Sequence, residues 1–138
     1  LLLCAHSGAP DALMDETGAG AAGGIAFGLM AATRAKLLPG FDLVAAWLNL
    51  EARIAAADLV ITGEGRFDDT SLSGKGPGAV AALALAAGKP VHVFAGQVTA
   101  SDARAGLHLH AISPPGQPLA AALAAGGQNL TAAVARAW

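Results

Sequence analysis

The chain has 138 residues, 54% hydrophobic and 13% charged, with formal net charge −2. That length fits one domain with a real core, and so apolar a composition excludes intrinsic disorder. Eight Lys plus Arg are spread singly against ten acids, which argues against a nucleic-acid surface, and the single Cys4 excludes a disulfide framework or multi-cysteine zinc site.

No apolar run approaches the roughly 18–20 residues that span a bilayer. Leu1-Leu2-Leu3-Cys4 is too short for a secretory leader and has no basic residue ahead of it. The cytoplasm is the expected compartment. The chain opens without methionine inside an apolar run, as a piece of a longer protein would. Alanine occurs 36 times, so the core is expected to be built from small side chains.

Ser7-Gly8-Ala9-Pro10 breaks the opening apolar run, and residues 11–16 form the most acidic short stretch. A glycine-rich run, Gly18 to Gly24, leads into a helix expected over 25–37 and stopped by Pro39-Gly40. A second helix is expected over 41–57, with Leu43, Ala46, Trp47, Leu50 and Ile54 along one face and Asp42 in its first turn. Asp58-Leu59-Val60-Ile61-Thr62 is continuous rather than alternating, the pattern of a central strand buried on both faces of a parallel sheet. A glycine-rich loop is then expected over 63–78.

A helix follows over 79–87, opening near Pro77 and ended by Gly88, and then a strand over 91–95. Residues 96–106 read as a loop or short helix, and 107–112 as a third strand. Pro114-Pro115-Gly116 is a firm break. The rest, 119–138, reads as one helix or as two split near Gly126-Gly127. The fold class is α/β: a Rossmann-like, layered, mostly parallel sheet with flanking helices. Three strands are few for so many helices, which again suggests an incomplete piece.

The loop after the first strand concentrates the chemistry. Ligands of open α/β sheets bind beyond the carboxyl ends of strands. Gly63, Gly65 and Gly74 would let backbone N–H groups approach an anion, Arg66 and Lys75 bring positive charge, and Ser73 and Thr70 bring hydroxyls. Glu64, Asp68 and Asp69 would hold Mg²⁺ or take a proton from a hydroxyl. A solvated loop would hold the same residue types for no reason but water. The charge gathered in a charge-poor chain favours function. The segment is not a P-loop, since Gly76 follows Lys75 and Asp69 stands where a glycine is required.

Gly18, Gly20 and Gly23 match the dinucleotide-binding glycine pattern formally, yet no strand is expected before them. Close packing at a helix start is the plainer reading, with an anion site at that N-terminus as the alternative. Gly96 would admit a ligand close to the backbone or make a turn. His108 and His110 alternate on one strand face without a third ligand nearby, and His6 and His92 stand apart, so no histidine metal site is expected.

Taken together, Gly18 to Gly24, Leu38-Pro39-Gly40, Asp58 to Asp68, Gly74-Lys75 and Gly88-Lys89-Pro90-Val91 occur in an order and spacing that resemble the bacterial glycerate kinase family. Ala111-Ile112-Ser113-Pro114 before the last helix is similar to that family's C-terminus. Thr70 departs from the pattern, since relatives often carry Gln there. The resemblance runs from about Gly18 to the end, leaving residues 1–17 unplaced and 18–138 as the C-terminal part of one Rossmann-like domain in a two-domain kinase.

The resemblance implies phosphorylation of D-glycerate to 2-phosphoglycerate with ATP and Mg²⁺, by a longer enzyme of which this piece alone is inactive. Asp68, Lys75 and Glu64 are then the catalytic candidates, with Mg²⁺ on Asp68 or Glu64. Arg66, Ser73, Gly63, Gly65 and Gly74 would hold substrate, and Gly18, Gly20, Gly23, Gly24 and Gly96 the nucleotide. No nucleic-acid or membrane partner is expected. The competing readings are a dinucleotide-binding oxidoreductase domain and a non-catalytic α/β fragment.

Overall fold

The computed structural model describes residues 2–72, 76–101 and 104–138. It divides into two compact units, Leu1–Asp42 and Leu43–Trp138.

The first unit is helical. Helix α1 (Leu2–Ser7) ends where Gly8 takes φ +67°, and the Ala9 N–H donates back to the Cys4 carbonyl at 3.1 Å. Two short 3-10 turns, Asp11–Asp15 and Ala21–Gly24, precede helix α2 (Ile25–Thr33). The chain needs left-handed backbone at Gly18 between these turns and at Gly23 and Gly24 within the second, a conformation that glycine adopts without strain. Helix α2 stops four residues short of the expected Leu37. Arg34 turns left-handed at φ +59°, and its N–H closes the helix on the Met30 carbonyl at 2.9 Å.

Helix α3 (Gly40–Trp47) crosses the division in sequence, and α4 (Leu50–Ala56) follows. The single helix expected over 41–57 is therefore two. Asn49, at φ +50°, makes the break. The second unit continues as β1 (Val60–Phe67), α5 (Gly76–Ala86), β2 (Val91–Val98), β3 (Leu107–Ala111), α6 (Leu119–Ala124) and α7 (Gly126–Ala137). The last pair divides where the glycines at 126 and 127 suggested.

The three strands pair in parallel in the order β1-β2-β3, aligning Val60 with Val91 and Val91 with Leu107. The unit β1-α5-β2 is a βαβ crossover, which brings α5 back over the sheet. Alanines allow that approach. Ala81 and Ala84 are fully buried against Val91, Val93 and Ala95, with Ile54 of α4 and Phe67 closing the cluster. The α/β, parallel, helix-flanked architecture agrees with the expected class.

Two expectations are corrected. β1 does not stop at Thr62 but runs to Phe67, so Gly63, Glu64, Gly65 and Arg66 stand in a strand rather than a loop. Likewise β2 runs through Gly96 to Val98, so Gly96 makes no turn. The glycines that signalled a loop are strand glycines: a Cβ at Gly63 would lie 2.5 Å from the Phe94 carbonyl oxygen, and one at Gly96 the same distance from that of Gly65. Second, β1 is not central. It lies at the sheet's edge, with Ile61 58% exposed on the face turned away from α5.

Candidate active site

The carboxyl ends of β1 and β2 are joined by hydrogen bonds. The Thr99 N–H donates to the Phe67 carbonyl at 2.9 Å, and the Ser101 N–H donates to Asp69 Oδ1 at 3.1 Å. Between them the chain makes a tight turn. Asp68 Oδ1 accepts from the Thr70 N–H at 3.0 Å and from its hydroxyl at 2.6 Å. Ser71, 5% exposed, accepts from the Asp68 N–H at 3.0 Å and donates its own N–H to the Asp68 carbonyl at 2.9 Å. This is the aspartate turn that short polar side chains favour. Thr70 matters here as the residue that satisfies Asp68.

Arg66 is largely exposed, with its Nε 3.6 Å from Asp68 Oδ2. Such an exposed pair is weak and easily exchanged for a ligand. Ser73, Gly74 and Lys75 fall outside the described residues.

Glu64 behaves differently. It is half-buried on β1, beside Ala95 of β2, and its Oε1 is buried without any hydrogen-bond partner. A buried carboxylate oxygen left unpaired is costly, and native proteins seldom keep one without reason. Among the described residues no group of three or more His, Cys, Asp or Glu is arranged to hold a metal ion. A single carboxylate still fits Mg²⁺, which commonly takes one or two from the protein and the rest of its shell from phosphates and water. Glu64 has the free oxygen; Asp68 Oδ1 is engaged.

Gly18, Gly20, Gly23 and Gly24 lie in the first unit, apart in sequence from this group. Gly18 borders a cleft of about 810 Å³, together with Glu16, Thr17, Lys36 and an apolar wall of Leu13, Met30 and Leu38. Lys36 was not anticipated, since a lone lysine before Leu37-Leu38-Pro39 carries no motif. The segment before Gly18 is a 3-10 turn, and this unit has no strand among the described residues. A dinucleotide fingerprint requires a strand there, so the oxidoreductase alternative loses its basis.

No helix among the described residues is long and apolar enough to cross a membrane. The sequence profile of the glycerate kinase family matches residues 4–138. The chain is similar to the glycerate 2-kinase of Escherichia coli K12, 47% identical over 98 residues, which cover 71% of this chain and 25% of that protein. It is also similar to a glycerate kinase of Halalkalibacterium halodurans, 48% identical over 81 residues, covering 59% of this chain and 21% of the relative. A crystal structure described as a glycerate kinase 2 from Salmonella typhimurium LT2 superposes with TM-score 0.54 at 36% identity, covering 87% of this chain and 32% of the other. The chain thus spans about a quarter of the length of the E. coli relative. With the profile match running nearly end to end, the chain belongs to the glycerate kinase family.

Proposed function

We propose that this chain forms one wall of an enzyme that phosphorylates D-glycerate at its 2-hydroxyl with ATP, in the cytoplasm where ATP is supplied. The observation that carries the reading is Glu64: a buried, unpartnered carboxylate oxygen on the strand that leads into the polar turn at 68–72. Family membership supports the substrate class. In this reading residues 18–138 are the C-terminal part of the kinase's Rossmann-like domain.

Phosphoryl transfer asks the protein mainly for positioning and for electrostatic balance. Glu64 Oε1 would hold Mg²⁺ or orient the attacking hydroxyl, since it is free to accept. The metal, when bound, would neutralise charge on the phosphate oxygens. Lys75 would face the transferring phosphate, with Gly74 and Ser73 offering N–H and hydroxyl donors. Arg66 would exchange Asp68 for the glycerate carboxylate, where its planar fork suits two oxygens. Asp68 would keep the turn in shape. The glycines from 18 to 24 would receive the nucleotide, with Gly18 and Lys36 lining the cleft of about 810 Å³ in the first unit.

The test is a coupled ADP-release assay with ATP and Mg²⁺, on a protein in which this chain replaces the aligned part of the E. coli relative. ADP release that depends on D-glycerate, with 2-phosphoglycerate as product, supports the reading. Release with no dependence on D-glycerate refutes it.

A further inference from the structure

The sheet face turned away from α5 gathers three histidines that the catalytic proposal does not use. The register sets His92 of β2 beside His108 of β3, and Phe94 beside His110. His92 Nδ1 and His110 Nε2 lie 3.1 Å apart, and the His108 ring centre is 4.6 Å from that of His92. Trp138 stacks on His92 at 4.8 Å with 13° between the planes, and Phe94 stacks on His110 at 4.6 Å and 16°. His92 stood apart in the sequence. Parallel pairing alone brings it to the other two.

We propose that the His92–His110 pair is an acid-sensitive clasp that joins β3 to β2 and opens when both rings are protonated.

A neutral imidazole has one N–H and one bare nitrogen, whereas an imidazolium has two N–H donors and no acceptor. Two neutral rings share the 3.1 Å contact, and so do one neutral ring and one charged ring. Two charged rings cannot, because neither offers a lone pair. The singly protonated pair still has one donor and one acceptor, so the second proton is the one that opens it.

Among the described residues no carboxylate side chain on the surrounding elements offsets that second charge, and in the 138-residue chain the α-carboxylate of Trp138 is carried by the residue stacked on His92. β1 brings Ile61, Gly63 and Gly65 to this face, while β2 and β3 contain no carboxylate. Helix α6 has no titratable side chain, and the only charged one of α7 is Arg136, which is exposed. His108 is itself a base, and its protonation works against both partners.

Burial, then the neighbouring His108, holds His92 below the ordinary 6.5. Burial, then His92 and His108, does the same for His110. Both groups move in the same direction. The unfolded chain takes up these protons first, so the clasp contributes fully above about pH 6.5 and is lost as pH falls through the lowered values.

The experiment is a proton NMR titration of the three imidazole C2–H signals in the 138-residue chain, with amide-exchange protection factors for β3 at pH 7.5 and 5.0. We expect His92 and His110 to titrate in two coupled steps below 6.5, and β3 protection to fall at least about tenfold. His110→Asn should abolish most of that pH response. His108→Asn leaves the pair intact and should retain it, so loss of fold in the first variant leaves the proposal testable. Single-step titration of His92 and His110 at ordinary values, or β3 protection that does not change with pH, overturns the clasp.

Discussion

The carbonyl oxygen of Ser71 occupies the space that a side chain on Gly78 would need. The turn after β1 is therefore folded against the first turns of α5, and a glycine is what lets it lie there. Gly78→Ala must push backbone from backbone, with an expected loss of about 1–3 kcal/mol of stability. Gly76, two residues earlier, meets nothing within 4 Å of its added Cβ. Gly76→Ala should stay within about 0.5 kcal/mol of the parent. Urea unfolding of the two variants side by side checks the contrast.

Asp68 is predicted to act first through the shape of its turn. Asp68→Ala removes the acceptor of the Thr70 N–H and hydroxyl, at a cost of about 1 kcal/mol. Asp68→Asn keeps an oxygen in that place and gives up the charge that faces Arg66 at an exposed site, so its stability should lie close to the parent. Denaturation midpoints for the pair decide between turn geometry and ion pairing.

In an active enzyme carrying this sequence, Lys75→Ala and Asp68→Ala should each lower kcat/KM at least about tenfold, equivalent to about 1.4 kcal/mol of transition-state stabilisation. His108→Ala, on the sheet face turned away from α5, should be kinetically quiet at pH 7.5. Steady-state kinetics with ATP and D-glycerate measure all three. Unchanged values for both Lys75→Ala and Asp68→Ala would remove the turn from the mechanism.

Much of this architecture was legible in the residues, and the failures at the sheet come from contacts between elements distant in sequence. The apolar runs at 91–95 and 107–112 marked parallel strands, and Gly126-Gly127 marked the division of α6 from α7. The error lay at Gly63–Phe67, where glycines and charges imitated a loop. There the glycines serve close strand approach, against the Phe94 carbonyl at Gly63 and between Gly65 and Gly96. That requirement comes from a neighbouring strand, and no local pattern announces it. The same limit hid the histidine cluster, which exists only in the register of β2 with β3. The stop of α2 at Arg34 and the break at Asn49 rest on left-handed backbone at residues other than glycine. Asp68 and Glu64 were named from chemistry, but only the fold separates them: one oxygen engaged in a turn, the other buried and free.

The 138-residue chain by itself is expected to show no turnover of ATP with D-glycerate. Positioning needs both walls of a cleft, and this chain covers 25% of the E. coli relative. A coupled ADP-release assay on the monodisperse chain checks this. Turnover near about 1 s⁻¹, the low end for enzymes, would show one wall to be sufficient.

Glu64→Gln in the chimera with the E. coli relative is the most direct test of the central claim. The substitution keeps the size of the side chain and replaces the carboxylate whose Oε1 has no partner, so thermal stability should hold or rise. A fall in kcat of at least about tenfold is expected, with that stability preserved. A Glu64→Gln chimera that turns over as fast as its parent would contradict that claim.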